Sequence, residues 1–348
     1  MSVTQMTPFR QLARAYGALL GIHESLAKIA NGRSNTLLGD HALRKELESL
    51  RSDMAALVRT EVERQQAKGA LFLPHPPFHH HVDPGQFMPF SNCVANDFFH
   101  PRFHEICAEL KQGFVYHRKL WEWVYIIHQL LESGEVKPGS RGLVFGVGSE
   151  KLPAYFASLG AAIVATDAPP DIGEENGWTT TGQHSASLEN LRHDNLLNPT
   201  DFDRLVTYET CDMNAISEHL QGFDFNWSSC CFEHLGDLEA GIQFVINAVE
   251  KTLRIGGIAV HTTEYNLSSN NDTVEKGHTV IYRRRDLEEL ICRLRERGHV
   301  VEELRIAADA HPLDYYVDAP PYSNHPHIKL MLGKYVATSI GIVVRRGR

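Results

Sequence analysis

The sequence predicts an α/β protein built on a doubly wound, mostly parallel sheet of seven strands, with helices on both faces. An apolar run at residues 142–146 meets the turn Gly146-Val147-Gly148, a helical segment follows, and a second apolar run at 162–166 ends on Asp167. From residue 140 onward, short apolar runs of strand length alternate with helical patterns. Of the 348 residues, 43% are hydrophobic, which is enough for a substantial core.

The remaining elements follow the same alternation. The strands are predicted at 205–208, 223–231, 258–263, 300–307 and 335–344, and the main helices between them at 238–253 and 285–298. Strands that alternate with helices pair in parallel, so this order predicts that helices cover both faces of the sheet.

The region before the sheet divides into two parts. Residues 1–70 are predicted to be helical, and apolar residues there recur at heptad spacing between Leu43 and Leu57. That helix either packs on its own domain or forms a dimer contact. Residues 71–138 are predicted to be a loop and helical cover, because a stretch rich in Pro, His and Phe precedes a helical pattern. The sheet domain spans 139–348.

Composition excludes several classes of function. A net charge of −9 disfavours binding to a nucleic-acid backbone. No apolar run approaches the roughly 20 residues that a membrane-spanning helix needs, and the first residues lack a signal-peptide pattern. The six cysteines form no CxxC pair, as expected of reduced thiols. We therefore expect a cytoplasmic protein with a small-molecule ligand and neither a nucleic-acid nor a membrane partner.

The glycine turn alone does not identify the ligand. A dinucleotide-binding turn has the pattern GxGxxG, but Lys151 stands where its third glycine belongs. Five motifs resemble, in the same order along the chain, those of class I S-adenosylmethionine (SAM)-dependent methyltransferases: FGVGSE, TDAPP, CDMNAI, FDFNWSSCCFEHLG and LRIGGIAVHTTEYN. The segments TTGQH, EHLG, HTTEYN and PPYS resemble a bacterial subgroup, some of whose members are associated with saccharide biosynthesis.

The resemblance implies a Rossmann-like methyltransferase fold with SAM as cofactor. It assigns cofactor-binding roles to Gly146, Gly148, Asp167, Asp212, Met213 and Ser229. Asp167 corresponds to the acid for the ribose hydroxyls, and Asp212 with Met213 to the adenine-contacting segment. The chain departs from the family at Val144, where an acid is usual, and at Glu150, where a glycine is usual. Glu150 either supplies the carboxylate that Val144 lacks or is a solvated residue at a helix start.

The catalytic candidates lie at the carboxyl ends of strands four and five, where open α/β sheets bind their ligands. His234 is the first candidate base, because its intrinsic pKa is near neutrality. Glu264 is a second candidate, and His261 is either a third or a core histidine. Glu233, His234 and Glu264 have the residue types of a divalent-metal site, but linear spacing does not establish one and no metal is predicted. The His79-His80-His81 run is interpreted as a loop or lid.

The candidates for substrate binding are mostly aromatic. They are Tyr116, Arg118, Trp121, Tyr265, Tyr315 and Tyr322. An aromatic ring next to a cation would stack on a sugar and bind an anionic group, although the same helix pattern also fits packing on the sheet domain. The sequence thus predicts SAM-dependent O-methylation of a small polar or saccharide substrate with a His or Glu base. A non-catalytic SAM-binding scaffold and an NAD-dependent oxidoreductase are the alternatives.

Overall fold

The structure is a computed structural model, and it describes residues 86–169, 187–320, 322 and 325–348. The predicted helices of residues 1–70, their dimer contact and the His79-His80-His81 run lie outside the described residues. In the described part, a mostly parallel sheet of nine strands is flanked by helices, which confirms the predicted fold class. No helix in this part is long and apolar enough to cross a bilayer.

Among the residues described before the sheet there are three helices: α1 (Ala95–Phe99), α2 (Pro101–Glu109) and α3 (Arg118–Glu132). The first half of the sheet domain contains β1 (Arg141–Phe145), α4 (Leu152–Ser158), β2 (Ala162–Asp167), α5 (Pro199–Leu205), β3 (Val206–Thr210) and β4 (Phe223–Ser229). The second half contains β5 (Gly236–Asp237), α6 (Leu238–Asn247), β6 (Leu253–Asn266), β7 (Lys276–Gly277), α7 (Arg284–Glu296), β8 (Val300–Val301), β9 (Val317–Asp318), β10 (Lys329–Leu332) and β11 (Tyr335–Arg345).

The strand order is β3-β2-β1-β4-β6-β11-β10-β9, and β8 pairs separately with β11. Strands β1 to β4 and β6 run parallel, whereas β11 runs antiparallel to β6. These five parallel strands therefore end at one edge of the sheet, where ligands of open α/β proteins bind. A separate two-stranded ribbon joins β5 to β7.

Two predictions about the last strands were wrong. The sheet has nine strands rather than seven, because the insertion before β11 contributes β9 and β10. The strand predicted at 300–307 is limited to Val300–Val301. Beyond it, the backbone binds the 91–92 segment instead of a strand: Ser91 N donates to Arg305 O at 2.7 Å, and Ala307 N donates to Asn92 Oδ1 at 2.8 Å.

Helix α3 connects the cover to the sheet. It packs against β4, β6 and β11, and its Trp121 is fully buried, with Nε1 donating to Asp97 Oδ2 at 2.6 Å. The contact is close, because a Cβ added at Gly341 of β11 would lie 2.1 Å from the Tyr125 ring. This packing brings the first turn of α3 to the carboxyl edge of β4 and β6.

Candidate active site

A cavity of about 700 Å³ opens at the carboxyl ends of the parallel strands. Eleven of the residues predicted from sequence line it: Arg118, Gly146, Gly148, Glu150, Asp167, Asp212, Met213, Ser229, His234, Glu264 and Tyr322. They come from α3, from the segments after β1 to β4, from β6 and from the insertion before β11. A volume of this size is typical of small-molecule sites.

The turn after β1 forms one wall of the cavity. Gly146 and Gly148 have φ of 61° and 52°, the left-handed region that favours glycine. A Cβ at Gly146 would also lie 2.6 Å from Cys231 Sγ, so the turn and the end of β4 approach closely. Asp167 at the tip of β2 anchors the turn, because its Oδ2 accepts from Gly148 N at 2.9 Å.

Glu150 is buried beside this turn. Its Oε1 accepts from Trp227 Nε1 at 2.8 Å, and its side chain lines the cavity. Burial raises the pKa of Glu150 to about 8, and the negative charges of Glu122 and Asp167 act in the same direction. The Trp227 hydrogen bond acts against them. The solvated position considered from the sequence does not fit, because only 4% of Glu150 is exposed.

Glu122 of α3 is the centre of a buried polar network that the sequence did not single out. Its carboxylate pairs with Arg118 Nη1 at 3.2 Å and Lys119 Nζ at 3.2 Å. It also accepts from three hydroxyls: Ser229 at 3.1 Å, Thr262 at 3.2 Å and Ser339 at 2.5 Å. Burial alone would raise the pKa of Glu122, but Lys119 and Arg118 outweigh it and lower that pKa to about 2.

Glu264 extends this network into the cavity. Its Oε1 pairs with Arg118 Nη2, whereas its buried Oε2 has no hydrogen-bond partner among the described residues. Burial raises the pKa of Glu264, the guanidinium of Arg118 lowers it, and the Glu233 and Glu122 carboxylates raise it again, so the net change is upward. Oε2 of Glu264 is therefore a buried carboxyl oxygen beside the cavity rather than one exposed to it.

His234 lines the cavity from the short turn that follows β4. Its Nδ1 lies 2.7 Å from the carbonyl oxygen of His278 and 3.2 Å from Thr279 Oγ1. Because a carbonyl only accepts, Nδ1 carries the proton in the neutral ring and Nε2 carries the lone pair. Nε2 lies 3.9 Å from Glu233 Oε1.

Five predicted site residues do not line the cavity. His261 lies three positions from Glu264 on β6, so its side chain faces the opposite side of the strand. It is fully buried there, with Nδ1 2.8 Å from Ser228 Oγ. Tyr116, Trp121 and Tyr265 are buried in packing contacts, and the exposed Tyr315 donates its hydroxyl to Asp309 O.

Cys230, Glu233 and Glu264 have ligand atoms within 4.8 Å of one another, as a metal site would. However, Arg118 already binds two of the three, because its guanidinium pairs with Glu264 and donates to Cys230 Sγ at 3.3 Å. The positive charge that a metal would bring is supplied by arginine. We therefore derive no step through a metal ion.

No protein-family model and no curated protein match this chain. Among solved structures, it is similar to a protein from Galdieria sulphuraria described as a sarcosine dimethylglycine methyltransferase, with 13% identity, a TM-score of 0.40, and coverage of 64% of this chain and 83% of that one. A SAM-dependent methyltransferase from Clostridium acetobutylicum has 14% identity, a TM-score of 0.37 and coverage of 71% and 98%. A third is 1,6-didemethyltoxoflavin-N1-methyltransferase from Burkholderia thailandensis, solved with that compound and S-adenosylhomocysteine, with 15% identity, a TM-score of 0.36 and coverage of 64% and 76%.

Proposed function

We propose that this protein is a SAM-dependent methyltransferase that methylates a hydroxyl of a small polar molecule. One observation carries the proposal. The segments that resemble methyltransferase motifs come from five different strands, and their polar residues line a single cavity at the carboxyl edge of the sheet. Motif order in a sequence does not require this convergence, so it is independent support.

The residues of the cavity fit SAM at two polar positions. Asp167, at the tip of β2, has the position of a carboxylate that binds two ribose hydroxyls. Glu150 is a buried carboxyl whose raised pKa falls when a cation binds beside it, which fits the ammonium of the methionine moiety. When bound, SAM supplies a methyl group already activated on a sulfonium. The protein then has to position the acceptor.

The other half of the cavity fits an uncharged acceptor with several hydroxyls. Arg118, Glu264, His234 and Tyr322 offer donors and acceptors there, and the two charges of Arg118 and Glu264 neutralise each other. Free sugars have this character. Glu264 fixes Arg118 beside the cavity, where the guanidinium would donate a hydrogen bond to a substrate hydroxyl.

Proton removal by His234 or Glu264 stays a prediction. The contacts support a binding role for both, because Glu264 is already paired with Arg118 and Nδ1 of His234 faces the His278 carbonyl. Association with saccharide synthesis, a homodimer through residues 1–70 and a cytoplasmic location are likewise predictions from the sequence.

The function is tested with SAM labelled in its methyl group and a panel of free monosaccharides and nucleotide sugars. We expect label to appear as a methyl ether on one of them, and Glu264→Gln to reduce that transfer. The exposed Glu218→Gln, which lies outside the cavity, is the control. If S-adenosylhomocysteine binds but none of the hydroxyl compounds takes label, the proposed acceptor class is wrong.

SAM binding is also expected to release close to one proton at pH 7. With a pKa of about 8, Glu150 is mostly protonated in the free protein, and an ammonium beside it would lower that pKa and expel the proton. Titration calorimetry in two buffers of different ionisation enthalpy counts the protons. Glu150→Gln should release none, and a wild-type protein that releases none would remove Glu150 from the proposed ammonium site.

A further inference from the structure

An imidazole and a carboxylate from the insertion before β11 form a pair beside the cavity. His327 Nδ1 lies 2.6 Å from Asp318 Oδ2, and Asp318 is fully buried. His327 lines the cavity, and so does Tyr322, whose ring lies at a centroid distance of 5.5 Å from that of His327. No pattern in the sequence points to either member of this pair.

The backbone holds this pair against the first turn of α3. His327 N donates to Tyr116 O at 2.7 Å, and Arg118 N donates to His327 O at 2.9 Å. The rings of His117 and His327 stack with centroids 4.6 Å apart. The imidazole is thus tied to the same turn that carries Arg118, which pairs with Glu264.

The hydrogen bond to Asp318 sets the tautomer of His327. A carboxylate accepts hydrogen bonds, so the ring proton resides on Nδ1 and Nε2 keeps its lone pair. The titratable and charged neighbours of the ring are Asp318, His117, Arg118 and Tyr322. Burial lowers the pKa of His327 and Arg118 lowers it further, while Asp318 raises it, and the net direction is downward. The ring is therefore neutral at neutral pH and can accept a proton.

We propose that His327 is the general base for the acceptor hydroxyl and that Asp318 is the residue that positions it. This inference rests on the proposed function. The hydroxyl proton passes to Nε2 of His327 while the oxygen lone pair forms a bond to the methyl carbon. The carbon–sulfur bond breaks with its electron pair left on sulfur, which gives S-adenosylhomocysteine, and Nε2 later releases its proton to solvent.

The arrangement distinguishes His327 from the two bases predicted from sequence. Asp318 stabilises the charge that develops on the His327 ring, whereas Nδ1 of His234 faces a neutral carbonyl. Glu264 has Oε1 paired with Arg118 and Oε2 buried, so neither oxygen is open to a substrate hydroxyl. An imidazole oriented by a carboxylate is a common arrangement for taking the proton of a hydroxyl.

The first test needs neither cofactor nor acceptor. Long-range ¹H–¹⁵N NMR on histidine-labelled protein reports the tautomer, and the signal lost in His327→Gln assigns the ring. We expect Nδ1–H in the wild type and a shift towards Nε2–H in Asp318→Ala, because alanine leaves Nδ1–H without its acceptor. The control is Asp309→Ala, which removes an acid of the same insertion that pairs with Lys329 instead. An Nε2–H tautomer in the wild type, or an unchanged tautomer in Asp318→Ala, would overturn the assignment.

Two further measurements separate this inference from the proposed function. His327→Gln should bind S-adenosylhomocysteine with wild-type affinity but lose about 10²–10⁴-fold in kcat with the sugar that accepts label. Loss of S-adenosylhomocysteine binding in this variant, or an unchanged kcat, would refute the role of base. If the wild-type protein itself fails to bind S-adenosylhomocysteine, the proposed function fails, and the NMR result still decides the tautomer.

Discussion

Replacement of Glu122 by glutamine is expected to lower the free energy of unfolding by about 3–5 kcal/mol, the cost of removing one partner from a buried ion pair. The carboxylate is fully buried, binds two cations and accepts from three hydroxyls. Glutamine keeps the shape of the side chain but loses its negative charge. The positive charges of Arg118 and Lys119 then remain near the cavity without the carboxylate that balances them. Urea denaturation followed by circular dichroism measures the change.

The matched control is Glu132→Gln, an exposed position on the same helix, which should change stability by less than about 0.5 kcal/mol. The pH dependence gives a second check. Because the pKa of Glu122 is lowered from 4.5 to about 2, its contribution is complete above pH 4.5 and is lost as the pH falls towards 2. Glu122→Gln should lack this part of the acid sensitivity. Equal stability losses in Glu122→Gln and Glu132→Gln would contradict the network.

Replacement of Asp167 by asparagine is expected to weaken S-adenosylhomocysteine binding by about 10–150-fold, because a hydrogen bond to a charged group contributes about 1.5–3 kcal/mol. Asparagine keeps one acceptor oxygen, so one of the two bonds proposed for the ribose is lost. The variant also tests the turn, since Asp167 Oδ2 accepts from Gly148 N at 2.9 Å. Glu218→Gln is the control, and wild-type affinity in Asp167→Asn would remove the residue from the ribose site.

Local sequence was enough to predict the glycine turn after β1 and the acid at the end of β2. An apolar run that ends in glycines, followed by one that ends in an acid, sets both the strand ends and the turn, and Gly146, Gly148 and Asp167 line the cavity together. The same strand periodicity explains the position of His261. Side chains alternate between the two faces of a strand, so residues three positions apart point to opposite sides. His261 and Glu264 therefore could not both face the cavity.

The rest of the site depends on contacts between distant segments. Glu122 meets Ser229 and Ser339 across 107 and 217 positions of the chain, a distance over which residue spacing carries no information. The position of His327 depends on pairing between the insertion and the start of α3, which no pattern in either segment predicts. A His-Pro-His sequence in a loop is equally compatible with solvent exposure.

The central claim is that the cavity at the carboxyl edge of the sheet binds SAM. Titration calorimetry of the full-length protein with S-adenosylhomocysteine, and in parallel with NAD, tests it most directly. We expect one S-adenosylhomocysteine per chain, weakened in Asp167→Asn but not in Glu218→Gln, and no heat from NAD. Binding of NAD, or the absence of S-adenosylhomocysteine binding at millimolar ligand, would contradict the claim.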